Sequence, residues 1–225
     1  MSNIPVQKTA QSRLPQIDFS NLEFGKHISD HMLVCVFDNG KWGSPTIVPF
    51  GDLSFSPAML SLHYGQAIFE GMKAFRMDNG KITIFRPDKH YLRFNRSLDR
   101  MCMPTIPKEI FVDGLAELVR LDEKWLPGTH NSSLYLRPVA FASESRLGVK
   151  ISDRYHFIIM TSPAGAYQPK PYRLKVEKNY ARTVEGGTGF AKCAGNYGGA
   201  YYPTRMAVGE GYDQVLWTDG KEHQY

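Results

Sequence analysis

The residues from His31 to Phe37, H-M-L-V-C-V-F, are apolar and β-branched enough to form a buried strand. Asp38-Asn39-Gly40 follows as a hairpin turn, because Asn-Gly takes the positive φ values that a tight hairpin needs. Thr46 to Phe50 supplies the next strand. Phe75 and Lys81–Phe85 flank a second turn, Met77-Asp78-Asn79-Gly80. Pro87 suits the first turn of a helix, and Asp88 suits the positive end of its dipole. That helix runs to about Met101. Pro107 opens another, in which Ile110, Phe111, Leu115, Leu118, Val119 and Trp125 recur at helical spacing. Leu134–Phe141 and Tyr155–Thr161 return to strand character. Hairpins mixed with helices predict an α+β fold for this part, not strict β-α-β alternation.

The remaining punctuation divides the chain. Residues 1–20 are polar around Pro5 and Pro15 and read as a loose N-terminal arm. The stretch from Ser162 to Pro171 is rich in proline and glycine and reads as a linker. After it come a strand at Arg173–Glu177, a glycine-rich loop from Gly186 to Gly199, a helix into Gly209 and a strand at Gln214–Trp217. Asp219-Gly220 signals one more hairpin, with only Lys221–Tyr225 behind it. The expectation is a chain incomplete at its C-terminal end.

Composition narrows the class. Of 225 residues, 42% are hydrophobic and 22% charged, which are globular values and leave disorder and coiled coil as poor readings. The net charge of +5 is spread thinly and forms no basic block, so nucleic acid is not an expected partner. The cysteines are Cys35, Cys102 and Cys193. An odd number without a C-x-x-C pair argues against a disulfide framework or a four-ligand zinc site and suits a reducing compartment. His27 and His31 stand four apart with no third ligand near them, so no metal is expected. No apolar run reaches the roughly 18 residues of a membrane span, and the N-terminus has no signal-peptide core. A soluble intracellular protein is the expectation.

The densest chemistry lies in G-G-T-G-F-A-K-C-A-G-N-Y-G-G, residues 186–199. A P-loop would need glycine at Ala191 and a hydroxyl at Cys193. A dinucleotide fingerprint would need glycine at Lys192. What remains is Lys192 among small residues that let a flat partner approach the backbone. A lysine so placed can form a Schiff base with an aldehyde cofactor, with the Tyr197 hydroxyl in reach of the same ring. A structural glycine loop with a solvated lysine is the commoner meaning of such spacing. On the helix from Pro87, Lys89, Arg93 and Arg96 share a face, where a guanidinium can clamp a phosphate or simply be solvated. In the strand at Leu134, Tyr135 and Arg137 point to one side and suit a carboxylate, or an ordinary surface pair. Tyr64 and Phe69 can wall an apolar pocket or fill a core. No G-x-S-x-G elbow or Ser/His/Asp set is present.

Five segments in order carry a resemblance. They are L-H-Y-G-Q-A-I-F-E-G-M-K-A-F-R (62–76), F-R-P-…-R-F-N-R-S (85–97), S-L-Y-L-R-P-V (133–139), S-P-A-G-A-Y (162–167) and G-F-A-K-C-A-G-N-Y-G (189–198), with F-G-K-H-I-S-D-H-M-L (24–33) fitting as well. Together they closely resemble the branched-chain amino acid aminotransferases, class IV pyridoxal-phosphate enzymes of the D-amino-acid-aminotransferase-like fold. The resemblance runs from about residue 20 onward and implies pyridoxal 5'-phosphate as cofactor. It implies a small α+β domain over 21–162, an interdomain loop over 163–172 and the start of a larger cofactor-binding domain over 173–225. By the same resemblance Lys192 is the Schiff-base lysine and proton shuttle, Arg93 holds the cofactor phosphate and Tyr197 bonds the ring hydroxyl oxygen. Phe24, Tyr64, Phe69, Tyr135 and Tyr167 shape the substrate pocket, and Arg137 receives the side-chain carboxylate of glutamate. The implied reaction is transamination of leucine, isoleucine and valine with 2-oxoglutarate, by a cytoplasmic homodimer in amino-acid biosynthesis.

The nearest rivals share the fold: a D-amino acid aminotransferase or an aminodeoxychorismate lyase. A non-enzymatic, weakly basic binding protein is the rival from another class. The family's carboxylate for the pyridine nitrogen and its phosphate-binding threonines have no counterpart in these 225 residues. The expectation is that this stretch alone turns over little or nothing, whereas a full-length protein is an active transaminase.

Overall fold

Two ten-residue antiparallel strands form the spine of the molecule: Ser133–Ala142 and Tyr155–Ala164, paired from Ser133↔Ala164 to Ala142↔Tyr155. The computed structural model describes residues 4–129, 131–165 and 171–224. In chain order the strands are β1 (His31–Asp38), β2 (Lys41–Trp42), β3 (Thr46–Pro49), β4 (Ala67–Phe69), β5 (Met72–Arg76), β6 (Ile82–Ile84), β7 and β8 (the spine), β9 (Leu174–Val176) and β10 (Gln214–Leu216). The helices are α1 (Leu60–Tyr64), α2 (Pro87–Arg100), α3 (Gly114–Leu121), the single turn α4 (Gly195–Gly198) and α5 (Tyr201–Gly209). The main sheet runs β2-β1-β8-β7-β5-β6, with β3 added to β1 and β4 added to β7. Every pairing in it is antiparallel. β9 and β10 instead pair in parallel, joined through α4 and α5. The whole is α+β, as the apolar pattern predicts.

The period of two decides what each face of β7 does. Leu134, Leu136, Ala140 and Ala142 point into the core and are fully buried, while Tyr135 and Arg137 stand half-buried on the opposite face. The core is closed by α2 and α3. Phe94 of α2 packs its ring 5.5 Å from Phe157 of β8, and Phe111 stacks on Phe157 at 5.9 Å. Each of these three rings is wholly buried, contributing about 1.5–3 kcal/mol by area. Gly114 lets α3 approach β1, since a Cβ there would lie 2.6 Å from Leu33 Cδ1.

Three sequence expectations need correcting. Residues 4–20 are not loose. Val6 bridges Ile47 of β3, Gln7 N–H donates to the Ile47 carbonyl, and the Ile4 side chain enters the core. The Asp30 carboxylate then takes Ser12 Oγ–H, Arg13 N–H and Trp125 Nε1–H, and His31 Nε2 accepts Thr9 N–H. The pull on the arm is long-range, so its polar composition does not reveal it. The helix after Pro107 is broken: a π-helical turn at Glu109–Asp113 inserts ahead of α3 and keeps both halves facing the sheet. The linker begins later than expected, because β8 continues through Pro163 and Ala164. β1 pairs with β8 only as far as Met160, and Ser29 N–H then donates to the Thr161 carbonyl, so Pro163 lies past the β1 ladder, where a proline breaks no ladder bond.

Candidate active site

The Lys192 backbone is gripped from two sides. Its carbonyl accepts Phe69 N–H at 3.0 Å, Cys193 bridges Ile68, and Ala194 N–H donates to the Ala67 carbonyl, so the loop lies along β4 like an extra strand. Its own N–H donates to Ser97 Oγ of α2 at 2.9 Å, and that hydroxyl donates in turn to the Arg93 carbonyl. Asn196 closes the loop from inside: its amide donates to the carbonyls of Thr188 and Ala191, and Thr188 Oγ1–H donates back to it. Fixing the backbone fixes where the amine can go. Lys192 is half-buried, and its Nζ donates to the Tyr197 hydroxyl at 2.9 Å. Nζ also stands over the Phe69 ring, 4.6 Å from its centroid.

Phe69 is the hub of the site. Its ring meets Tyr197 at 5.0 Å, and the Arg137 guanidinium lies over it at 4.6 Å. Arg137 donates from Nε and Nη2 to the Tyr135 hydroxyl, at 3.2 and 2.8 Å, and the Phe24 ring meets Tyr135 edge-on at 4.9 Å. Phe24, Gly25, Ile28, Tyr135, Arg137 and Met160 wall a cavity of about 180 Å³. The structure thus brings Lys192, Tyr197, Phe69, Arg137, Tyr135 and Phe24 into one chain of contacts. Gly71 makes room for it, since a Cβ there would collide with the Tyr135 hydroxyl.

Arg93 faces a second opening, a cleft of about 480 Å³ shared with Arg86, Lys89, His90 and Arg96. Its Nε and Nη2 fork onto Glu70, which is wholly buried and also takes His90 Nδ1 at 2.9 Å and Gly71 N–H at 3.1 Å. Burial pushes the Glu70 carboxyl up, but the hydrogen bonds from Arg93, His90 and Gly71 outweigh it and hold it below its ordinary value. The Glu70 bond likewise raises the Arg93 pKa against a burial penalty, and the Tyr197 phenol adds to the same effect. Tyr64 stands apart from this cluster: its ring borders His63 and its hydroxyl donates to the Leu147 carbonyl. Tyr167 lies outside the described residues.

Sequence reading missed Glu70, Ser97, Gly71 and Asn196. Only Ser97 left a signal, sitting four residues after Arg93 on the same face of a helix. The assembled donors are an amine, a phenol and two guanidinium groups around apolar walls. That set suits a ligand with a reactive carbonyl carbon and anionic groups.

Comparison with known proteins points the same way. A family model described as amino-transferase class IV matches residues 67–223. Branched-chain-amino-acid transaminase 1 of Bacillus subtilis (strain 168) is 46% identical over 213 residues, covering 92% of this chain and 60% of that protein. The probable branched-chain-amino-acid aminotransferase of Staphylococcus aureus (strain MRSA252) is 45% identical over 92% of this chain and 59% of its own length. The crystal structure of the T.th. branched-chain amino acid aminotransferase with pyridoxamine 5'-phosphate superposes with a TM-score of 0.66 at 26% identity. That match covers 84% of this chain and 60% of the other. This chain therefore spans about 60% of the length of the proteins it matches.

Proposed function

Because the chain belongs to the class IV amino-transferases, we propose that its protein transfers the amino group of branched-chain L-amino acids to 2-oxoglutarate, using pyridoxal 5'-phosphate held by Lys192. The observation that carries the reading is the Lys192 amine poised on the Tyr197 hydroxyl and the Phe69 ring, one ring away from Arg137. The names of the similar proteins support the substrate class. The residues present fit the cofactor. Among the described residues the amine has a single hydrogen-bonded partner, a phenol, and Arg93 keeps Nη1 unbonded beside its cleft. A Cβ on Gly195, Gly198 or Gly199 would meet nothing within 4 Å, so the backbone beside the lysine is open to a flat ring.

When bound, the cofactor supplies an aldehyde carbon and an electron-withdrawing ring. The rest belongs to the chain. Lys192 would hold the cofactor covalently, Tyr197 would hydrogen-bond its ring hydroxyl oxygen and Arg93 would receive its phosphate. Once the substrate amine has displaced it, Lys192 Nζ would also serve as the base. It would take the proton from Cα of the amino acid while the electron pair left behind is drawn into the cofactor ring, and the same proton and electron movements would run in reverse with the oxo acid. Ser97 and Phe69 keep that amine from swinging away by holding the lysine backbone. Phe24, Phe69 and Tyr135 offer apolar walls to leucine, isoleucine and valine. Arg137 meets the second carboxylate of glutamate in the same pocket. Tyr64 and Tyr167 are proposed as pocket residues on the motif resemblance alone. The exposed apolar side chains of Leu62, Leu147 and Val149 support burial against a second copy, as a homodimer. No helix among the described residues is long and apolar enough to cross a membrane, which is in keeping with a cytoplasmic place.

The test begins with pyridoxal phosphate alone. Added to the full protein it should raise a near-visible absorption band, and borohydride should fix a pyridoxyl group on Lys192, read by peptide mass spectrometry. With 2-oxoglutarate present, L-leucine should be consumed and D-alanine should not. A pyridoxyl label on any other lysine, or turnover of D-alanine in preference, would refute the proposal.

A further inference from the structure

We propose that Glu70 is the positioning residue for Arg93, a buried carboxylate that sets the plane of the guanidinium and turns its free edge toward the phosphate of the cofactor. This rests on the function proposed above and gives that site a part no motif announces. The contrast in exposure is the first ground. Glu70 is entirely buried, whereas 44% of the Arg93 side chain is exposed and lines the basic cleft beside α2. A lone arginine at such a place would sweep through many rotamers. Here the two oxygens of Glu70 take Nε and Nη2 together, and a two-point fork fixes a planar group in rotation as well as in position.

The carboxylate is itself immobile. His90 Nδ1 and Gly71 N–H share Oε2 with Arg93 Nη2, and the Glu70 backbone N–H donates to the Pro138 carbonyl of β7. The direction of Arg93 is thus referred back to the sheet that carries Phe69 and Arg137. Nη1 has no hydrogen bond to any described residue and remains the edge offered to an anion.

A different role for Glu70 makes an opposite forecast. If it merely cancelled the charge of Arg93, removing it would strengthen anion binding. If it positions Arg93, removing it weakens binding of the phosphate and of nothing else. The experiment compares pyridoxal 5'-phosphate with pyridoxal, which lacks the phosphate, by absorption titration of the full protein as wild type, Glu70→Gln and Glu70→Ala. Loss of a preset charged contact should weaken pyridoxal phosphate binding roughly tenfold in Glu70→Ala and leave pyridoxal unchanged. Glu70→Gln, whose amide oxygen still accepts from Nε, should fall between and serves if the alanine variant folds poorly. The Arg93 Nε–H resonance should be protected from exchange in the wild type and lose that protection in Glu70→Ala. Equal weakening for both ligands, tighter pyridoxal phosphate binding in Glu70→Gln, or an unchanged preference would overturn the role of Glu70. A wild type that binds neither ligand at Lys192 would overturn the parent function and this role with it.

Discussion

Replacing Gly71 with alanine is the sharpest small perturbation of the site. A Cβ built there would collide with the Tyr135 hydroxyl and come within 2.9 Å of Cζ and 3.1 Å of Cε2. The backbone at Gly71 is not in the left-handed region, so alanine meets no φ penalty and should gain about 0.4–1 kcal/mol through a less flexible unfolded chain. Against that, overpacking a closed site costs about 1–3 kcal/mol. The net expectation is a loss of about 1–2 kcal/mol, or about 2–8 °C in Tm for a chain of this size. The ring cannot give way cheaply, because its hydroxyl accepts both Arg137 bonds and its edge meets Phe24. Moving Tyr135 therefore moves Arg137 as well. The assay is urea unfolding of wild type, Gly71→Ala, Tyr135→Phe and the double variant. Removing the hydroxyl removes the worst contact, so the double variant should be more stable than the sum of the single losses by about 0.5–3 kcal/mol. A Gly71→Ala protein within about 0.5 kcal/mol of wild type (an ordinary surface effect), or losses that simply add, would refute the reasoning.

Ser97→Ala leaves the part-buried N–H of Lys192 without its acceptor and should cost about 0.5–1.5 kcal/mol in unfolding free energy, with faster hydrogen exchange at that amide. Asp30→Ala leaves Trp125 Nε1–H and Arg13 N–H without their acceptor, so the segment around Ser12 should become the first site of limited proteolysis. Acid should unfold the protein partly through Glu70, whose folded pKa lies below its ordinary 4.5. A lowered carboxyl stabilises the fold fully above that ordinary value and loses its contribution as pH falls through the lower folded one. A pH series of urea midpoints should therefore be flatter below about pH 4.5 for Glu70→Gln than for wild type.

What the sequence disclosed follows the range of the forces involved. β1, β7 and β8 are long apolar runs, and the Asn39-Gly40 turn sits at φ values of 51° and 78°, so local chemistry suffices for them. β4 is three residues long and owes its strand character to β7 on one side and the lysine loop on the other. Nothing inside A-I-F announces that. Lys192 stands out because glycines flank it, yet the hydroxyl that holds its backbone is 95 residues away. Glu70 is harder still. An acid between phenylalanine and glycine looks solvated, and only its partners on α2, 20 and 23 residues on, make its burial tolerable.

α2 explains how these distant pieces act as one site. Phe94 and Leu98 seat one face of the helix in the core, so its rotation is set by packing that has nothing to do with chemistry. The adjoining face carries Arg93 and Ser97 one turn apart. Arg93 takes Glu70 just past the end of β4, and Ser97 takes Lys192, whose carbonyl returns to Phe69 in the same strand. Guanidinium, amine and aromatic wall are therefore referenced to a single helix–strand contact. A change in core volume beneath Phe94 that slides α2 along β4 would displace the Arg93 guanidinium and the Lys192 amine together rather than one against the other. Their spacing is then more robust than the absolute position of either, which is what a ligand spanning both requires.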